Sequence, residues 1–249
     1  MPDRRQHRGP HPEDRHLFDA VAYPRLLAAF RDLCWLLDRG YAMTSSLKLV
    51  GDRYELSARQ RLALERCACT AEAAHSRQLR LCSPGDLAGR AVYLDGYNVL
   101  TTVEAALAGG VLLGGRDGTL RDMASMHGSY RKVAETSQAI VLIGRTLASL
   151  GVSEVLWYLD KPVSNSGRLA QLLRTLAVEH QWNWIVRIVP SPDHELQQSD
   201  APVATADHVI LDHCQRWFNL ARWVVEAHVT NAWILDFPDV EQHHLPQQS

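Results

Sequence analysis

Ala91-Val92-Tyr93-Leu94-Asp95-Gly96-Tyr97-Asn98 is the stretch that decides how this chain folds. A short β-prone, mostly apolar run closes on an aspartate and a glycine. Strands apolar at consecutive positions are buried on both faces, as in parallel sheets. The same texture recurs downstream. Val155-Leu156-Trp157-Tyr158-Leu159 ends at Asp160, Ile185-Val186-Arg187-Ile188-Val189-Pro190 precedes Asp193, and Pro202-Val203-Ala204-Thr205-Ala206 ends at Asp207. Helical stretches over 133–150 and 169–180 separate several of these runs. Alternation of this kind predicts an α/β fold, a mostly parallel sheet flanked by helices.

Upstream the periodicity changes. Leu26, Leu27, Phe30, Leu33, Cys34 and Leu37 recur at helical spacing, with Gly40 placed to end the helix. Ser57 is an N-cap for a second helix through Leu62 and Arg66, and a turn is expected between them at Gly51-Asp52. The punctuation Ser83-Pro84-Gly85-Asp86-Leu87-Ala88-Gly89 marks a boundary. The expected organisation is a loose tail over 1–15, a helical N-terminal region over 16–85, the α/β domain over 86–239 and a polar tail over 240–249.

The bulk numbers allow a sizeable core, with 46% hydrophobic and 22% charged residues. No apolar run reaches the length of a membrane span, and residues 1–15 lack the apolar stretch of a secretory signal. Five cysteines without a CxxC pair argue against a disulfide framework or zinc ribbon and suit a reducing cytoplasm. The net charge of −2 divides unevenly: residues 1–90 hold 15 Lys and Arg against 11 Asp and Glu, residues 91–249 hold 11 against 17. A basic front beside an acidic rear is compatible with a nucleic-acid grip next to a metal site.

Ligands of open parallel sheets bind beyond the carboxyl ends of the strands, where Asp95, Asp160 and Asp207 fall. Each alone is also ordinary N-cap or turn chemistry. If the strands are neighbours, three carboxylates converge, and their repulsion is offset by a cation or by protonation. All-oxygen ligands suit Mg²⁺ or Mn²⁺.

The motif Tyr93-Leu94-Asp95-Gly96-Tyr97-Asn98-Val99-Leu100 resembles the first strand of the PIN-like nucleases, nearest the NYN branch. That resemblance implies a metal-dependent nuclease, with RNA favoured over DNA. Asp95 would bind metal and Asn98 would lie in the same crevice. Val203-Ala204-Thr205-Ala206-Asp207 resembles the later strand, with Thr205 supporting Asp207, and Trp157-Tyr158-Leu159-Asp160 resembles the middle one. Such nucleases take a further acid from an intervening helix. Glu104, Asp117 and Asp122 compete for that role here, with Asp122 favoured over Glu104 as a secondary ligand. The whole chain also resembles an uncharacterised prokaryotic family that joins a helical N-terminal region to such a domain. Leu37-Asp38-Arg39-Gly40-Tyr41, Leu49-Val50-Gly51-Asp52-Arg53-Tyr54, 115–122 and 163–169 carry that likeness.

Substrate-binding candidates are Arg116 and Arg121 around the glycine-rich stretch 109–118, read as a flexible connection, or else plain salt-bridge partners of Asp117 or Asp122. Asn165, Ser166 and Arg168 at a helix start are further candidates, or else plain N-cap chemistry. Arg53, Arg59, Arg61, Arg66, Arg77 and Arg80 with Tyr54 form a candidate strand-binding face, or else a solvated helix face. His127, His194 and His208 read as structural or solvent-facing, with a place beside the site as the alternative, and Asp212 reads as solvated or capping. The expected partner is nucleic acid, with no membrane and with a homo-oligomer left open. The competing class is a non-catalytic nucleic-acid or protein-binding module. A phosphatase with an Asp-x-Asp nucleophile ranks last, because Gly96-Tyr97-Asn98 follows Asp95.

Overall fold

The computed structural model describes residues 7–123 and 130–238. The front of the chain forms helices α1 (Asp14–Leu17), α2 (Tyr23–Leu37), α3 (Met43–Arg53), α4 (Ala58–Cys67) and α5 (Ala71–Leu79), then a 3-10 turn at Pro84–Leu87. There follow β1 (Ala91–Asp95), α6 (Gly96–Leu107), β2 (Val111–Gly114), β3 (Leu120–Asp122), α7 (Thr136–Ser149), β4 (Glu154–Asp160) and α8 (Ser166–Glu179). The chain continues through β5 (Trp184–Val189), α9 (Pro192–Gln197), β6 (Val203–Ala204), α10 (His208–His213), β7 (Trp217–Phe218), α11 (Leu220–His228) and β8 (Trp233–Asp236). Among the described residues no helix is long and apolar enough to cross a membrane.

Five strands in the order β5-β4-β1-β6-β7 make the main sheet, and every pair within it is parallel. β1 lies at its centre. Alternate residues face opposite ways along a strand, and both faces are covered. Val92 and Leu94 join Val155, Trp157 and Leu159 in a core closed by α6, α7, α8 and α11. Leu156, Tyr158 and Val203 pack on the other side against Leu196 of α9 and Ile210 and Leu211 of α10. The predicted parallel sheet flanked by helices is what the chain builds, behind a helical N-terminal region.

A second sheet, β3-β2-β8, was not legible in the sequence. The stretch 109–118 is no flexible connection: Val111–Gly114 and Leu120–Asp122 pair antiparallel, and Trp233–Asp236 adds in parallel. Val111, Leu113, Leu235 and Phe237 then share a core with Phe30, Leu33, Val50, Leu64 and Cys67 of the front helices. The hydrophobic packing therefore runs across the Ser83–Gly89 punctuation.

Other expectations need correction. The 43–53 segment is helix α3 and contains Gly51 without a turn there. A Cβ on Gly51 would lie 2.4 Å from Arg61 Cζ, so glycine leaves room for that guanidinium, which reaches Leu56 O and Asp52. Within the supposed tail over 1–15, Arg8 and Asp14 are buried, Arg8 paired with Glu104 and Asp14 with Arg59. Ser57 does cap α4, in a capping box with Gln60. All five cysteines are free and buried.

β1 passes into α6 with no residue between them. Gly96 sits where a Cβ would stand 2.6 Å from Leu159 Cδ2 and 2.7 Å from Tyr158 O. Glycine lets the first turn of α6 lie against β4. We expect Gly96→Ala to lower stability by about 1–3 kcal/mol, read as a drop in thermal midpoint. An unchanged midpoint would show that β4 yields without cost.

Candidate active site

At the carboxyl edge of the main sheet lies a cavity of about 420 Å³ lined by Asp95, Asp160, Asp193 and Asp207, with Tyr97, Asn98, Asp122 and His208. Four of these acids follow four adjacent strands, β1, β4, β5 and β6. Asp95 ends β1 and is buried, 9% exposed. Its Oδ2 accepts from the Thr205 hydroxyl at 2.9 Å, and that hydroxyl accepts the Asp207 N–H at 3.0 Å. Asn98 Oδ1 accepts the Ala206 N–H at 2.8 Å. Residues 205–207 are thus stitched to the β1–α6 junction. Asp207 also caps α10, its Oδ1 accepting from Val209 and Ile210 amides, so cap and cavity roles coexist.

The electrostatics are those of crowded acids. Burial raises the Asp95 pKa to about 8; the charge of Asp207 adds to this, the Thr205 hydroxyl offsets part of it, and Asp193 and Asp160 contribute further. Burial, then Asp193, raises Asp160, and burial, then Asp207, raises Asp193. Asp122 stands apart from that group in its bonding. Its Oδ2 accepts from Thr101 at 2.9 Å and Thr102 at 3.2 Å, and Arg66 lies 3.8 Å from Oδ1. His208 is held neutral, near a pKa of about 4, by burial and by Arg121. Its Nδ1 is 3.0 Å from Arg77 Nη1.

Several sequence candidates lie elsewhere. Glu104 is fully buried, paired with Arg8 and accepting from Tyr130 at 2.6 Å and from Thr136. It ties the N-terminal segment to α6 and does not line the cavity. Arg116 grips Asp38 at 2.8 and 3.0 Å and the Cys69 carbonyl at 2.9 Å, a structural anchor in place of the expected substrate contact. Arg121 reaches the cavity wall, with its guanidinium engaged by Ala206 O at 2.8 Å and by Asp117. Asp117 serves Arg77, Arg121 and Thr119, whose pull holds its carboxyl far below the usual range against the cost of burial. Asp212, read as solvated or capping, pairs with Arg77 at 2.6 Å.

Ser166 is a buried brace, its Oγ 2.6 Å from the Asp160 carbonyl and 2.7 Å from Tyr97 OH. Asn165 and Arg168 line a different cavity with Arg131 and Lys132. His194 contacts Gln198, and His127 lies outside the described residues. Among the described residues the front arginines reach separate partners, Arg53 from an exposed position and Arg80 from a half-buried one. Arg53 and Tyr54 meet Asp32, Arg61 meets Asp52, and Arg80 binds the Cys214 carbonyl. Asp193, which follows the third apolar run after Ser191-Pro192 with no motif to mark it, joins the cavity as a further acid.

Among the described residues no group of three or more His, Cys, Asp or Glu side chains is disposed to hold a metal ion as it stands. The donor chemistry still fits a hard divalent cation: carboxylate oxygens, with acids of raised proton affinity. Binding one requires the carboxylates to draw together.

The family described as "Domain of unknown function (DUF5616)" matches residues 84–223, and that described as "Protein of unknown function (DUF434)" matches residues 25–80. An uncharacterized protein of Methanocaldococcus jannaschii is 31% identical over 183 residues, covering 74% of this chain and 87% of that protein. No solved structure matches.

The raised pKa of Asp95 has a consequence for folding. A carboxyl whose folded pKa of about 8 lies above its ordinary 3.8 contributes stability that is full below about pH 4 and is lost as pH rises through about 8. In chelator, Asp95→Asn should therefore melt higher than wild type near pH 9, with the gap closing toward about pH 4. The upper bound is about 1.4 kcal/mol per unit of displacement, lowered by relaxation and counter-ions. Thermal melts across pH check this, and a gap that widens toward acid would contradict it.

Proposed function

The chain belongs to the family described as "Domain of unknown function (DUF5616)", and from the site that this domain carries we propose that it is a metal-dependent phosphodiesterase cleaving nucleic acid, RNA in preference to DNA. The preference for RNA rests on the resemblance of the 93–100 motif to PIN-like nucleases of the NYN branch, as does the proposed kinship with them. One observation carries the activity: Asp95, Asp160, Asp193 and Asp207 converge on one cavity with the proton affinity of Asp95 raised to about 8. Perturbed carboxylates crowded in a cleft are a recurrent property of functional sites.

Asp95, Asp160 and Asp207, joined by Asp193, would hold Mg²⁺ or Mn²⁺, and Asp122 would serve as a secondary ligand. A cation bound there supplies activation of water and neutralisation of charge on the scissile phosphate. The chain's own groups do the positioning. Thr205 fixes the Asp95 carboxyl and the Asp207 backbone together. Asn98, with Oδ1 committed to Ala206, keeps its amide hydrogens for a phosphate oxygen or the attacking water. Neutral His208 is suited to donate a hydrogen bond, because its Nδ1 faces Arg77, which can only donate.

The test is cleavage of labelled single-stranded and structured RNA, and of DNA, with Mn²⁺, Mg²⁺ or chelator. We expect metal-dependent cleavage that falls at least about a hundredfold in Asp95→Asn, with circular dichroism unchanged. Full activity in a well-folded Asp95→Asn protein would refute the site. Absence of cleavage together with absence of metal binding by calorimetry would favour a non-catalytic binding module.

A further inference from the structure

Beside the carboxylate cavity is a second one, of about 330 Å³, with the opposite charge. Arg131, Lys132 and Arg168 line it together with Asn165, and among the described residues no Asp or Glu does. Among the described residues Lys132 and Arg168 form no ion pair, whereas Arg59, Arg61, Arg77, Arg116 and Arg121 each do. The cavity opens at the start of α8, a helix of 14 residues whose N-terminal amides add partial positive charge. Gly167 in that first turn leaves the approach clear, since a Cβ there would meet nothing within 4 Å.

The two cavities share a wall. Tyr97 lines the acidic one and Tyr130 the basic one, and their rings lie 5.1 Å apart. Tyr97 OH also contacts Ser166, which contacts the carbonyl of Asp160. Both cavities therefore sit at the carboxyl edge of the main sheet, acid and base side by side. A phosphodiester strand meets repulsion at the acids and needs cations for its neighbouring phosphates.

We infer that the Arg131–Lys132–Arg168 cavity binds a backbone phosphate of single-stranded nucleic acid whose adjacent phosphodiester lies at the carboxylates. This deepens the phosphodiesterase reading and rests on it for the identity of the ligand. The cavity fixes the direction of the strand across the Tyr97–Tyr130 wall. It recognises phosphate and not base, so it carries no sequence preference.

The experiment is fluorescence anisotropy of a labelled single-stranded RNA oligonucleotide with the full chain in chelator, over a range of salt. Wild type is compared with Lys132→Ala/Arg168→Ala and with Arg25→Ala/Arg145→Ala, which removes two exposed charges on α2 and α7. Inorganic phosphate as competitor separates a free-phosphate site from a strand site. We expect the cavity variant to bind several-fold more weakly, with a salt slope smaller by about 1.4 for two lost contacts. The control should lose less than the cavity variant at every salt concentration, and millimolar phosphate should compete poorly. Equal weakening in both double variants, or no RNA binding by wild type, would overturn the inference. Cleavage measured separately with Mn²⁺ keeps the two readings apart. RNA binding lost in the cavity variant without cleavage by wild type sinks the phosphodiesterase alone, and normal binding by the cavity variant with cleavage intact sinks the subsite alone.

Discussion

The passage from β1 into α6 without an intervening loop residue is the constraint on which the rest of this structure hangs. A strand in the middle of a parallel sheet has neighbours on both sides, so the helix leaving it must rise directly over β4. Glycine at 96 permits that approach, because Leu159 and the Tyr158 carbonyl occupy the space of a side chain. Once α6 is launched there, its sequence sets four other things. Tyr97 reaches Ser166, Asn98 reaches the Ala206 amide, Thr101 and Thr102 hold Asp122, and Glu104 receives Arg8. One helix therefore organises the acidic cavity, the second sheet and the N-terminal segment. Its burial follows: Tyr97, Val99 through Ala106 and their neighbours are closed off from solvent on nearly every side.

Buried charge is treated in two opposite ways in this protein. Asp117 lies between Arg77 and Arg121 and accepts from Thr119, and those donors hold its carboxyl far below the usual range. Such an acid has been given enough partners to offset desolvation. Asp95 is equally inaccessible yet receives one hydroxyl and three neighbouring acids, so its pKa rises to about 8. The nearby arginines are spent on Asp117 and Asp212. A fold that can surround one buried aspartate with guanidinium groups and leaves another with like charges is placing unfavourable electrostatics at one cavity. Perturbed acids of that kind gather at functional sites, and a cation, if bound as proposed, would offset the crowded carboxylates.

Strand ends were legible in the sequence because local chemistry fixes them. Apolar runs closing on Asp95 and Asp160 became β1 and β4 at nearly the expected limits, and the run over 185–190 became β5. The 202–206 run shrank to Val203–Ala204, since Thr205 and Ala206 turn away to bond Asp95, Arg121 and Asn98. Long-range pairing was not legible. β2 looks like a glycine-rich linker, and only β8, more than a hundred residues later, completes its sheet. Glu104 and Asp122 looked equivalent by spacing, and partners distant in sequence separated them: Arg8 takes one into the interior, while Thr101 and Thr102 turn the other toward the cavity. Asp193 was missed because it sits in a helix after β5 and not at the strand end itself.

The front helices are part of this arrangement and not an appendage to it. Arg66 of α4 pairs with Asp122 and, with Glu65, helps line the acidic cavity. Arg77 of α5 reaches across to Asp117, Asp212 and His208, so α5 is locked to the hairpin and to α10. Arg116 closes the same seam from the other side through Asp38 and the Cys69 carbonyl. Separating the chain at residues 80–84 would strand the Arg77–Asp117 contact and expose the face of β2 that Phe30, Leu33 and Leu64 cover. The hydrophobic surface alone makes that separation costly. The charged seam adds a second reason, because the buried Asp117 carboxylate would keep Arg121 but lose Arg77. The front helices therefore complete both the core over β2 and the ion pairing around Asp117.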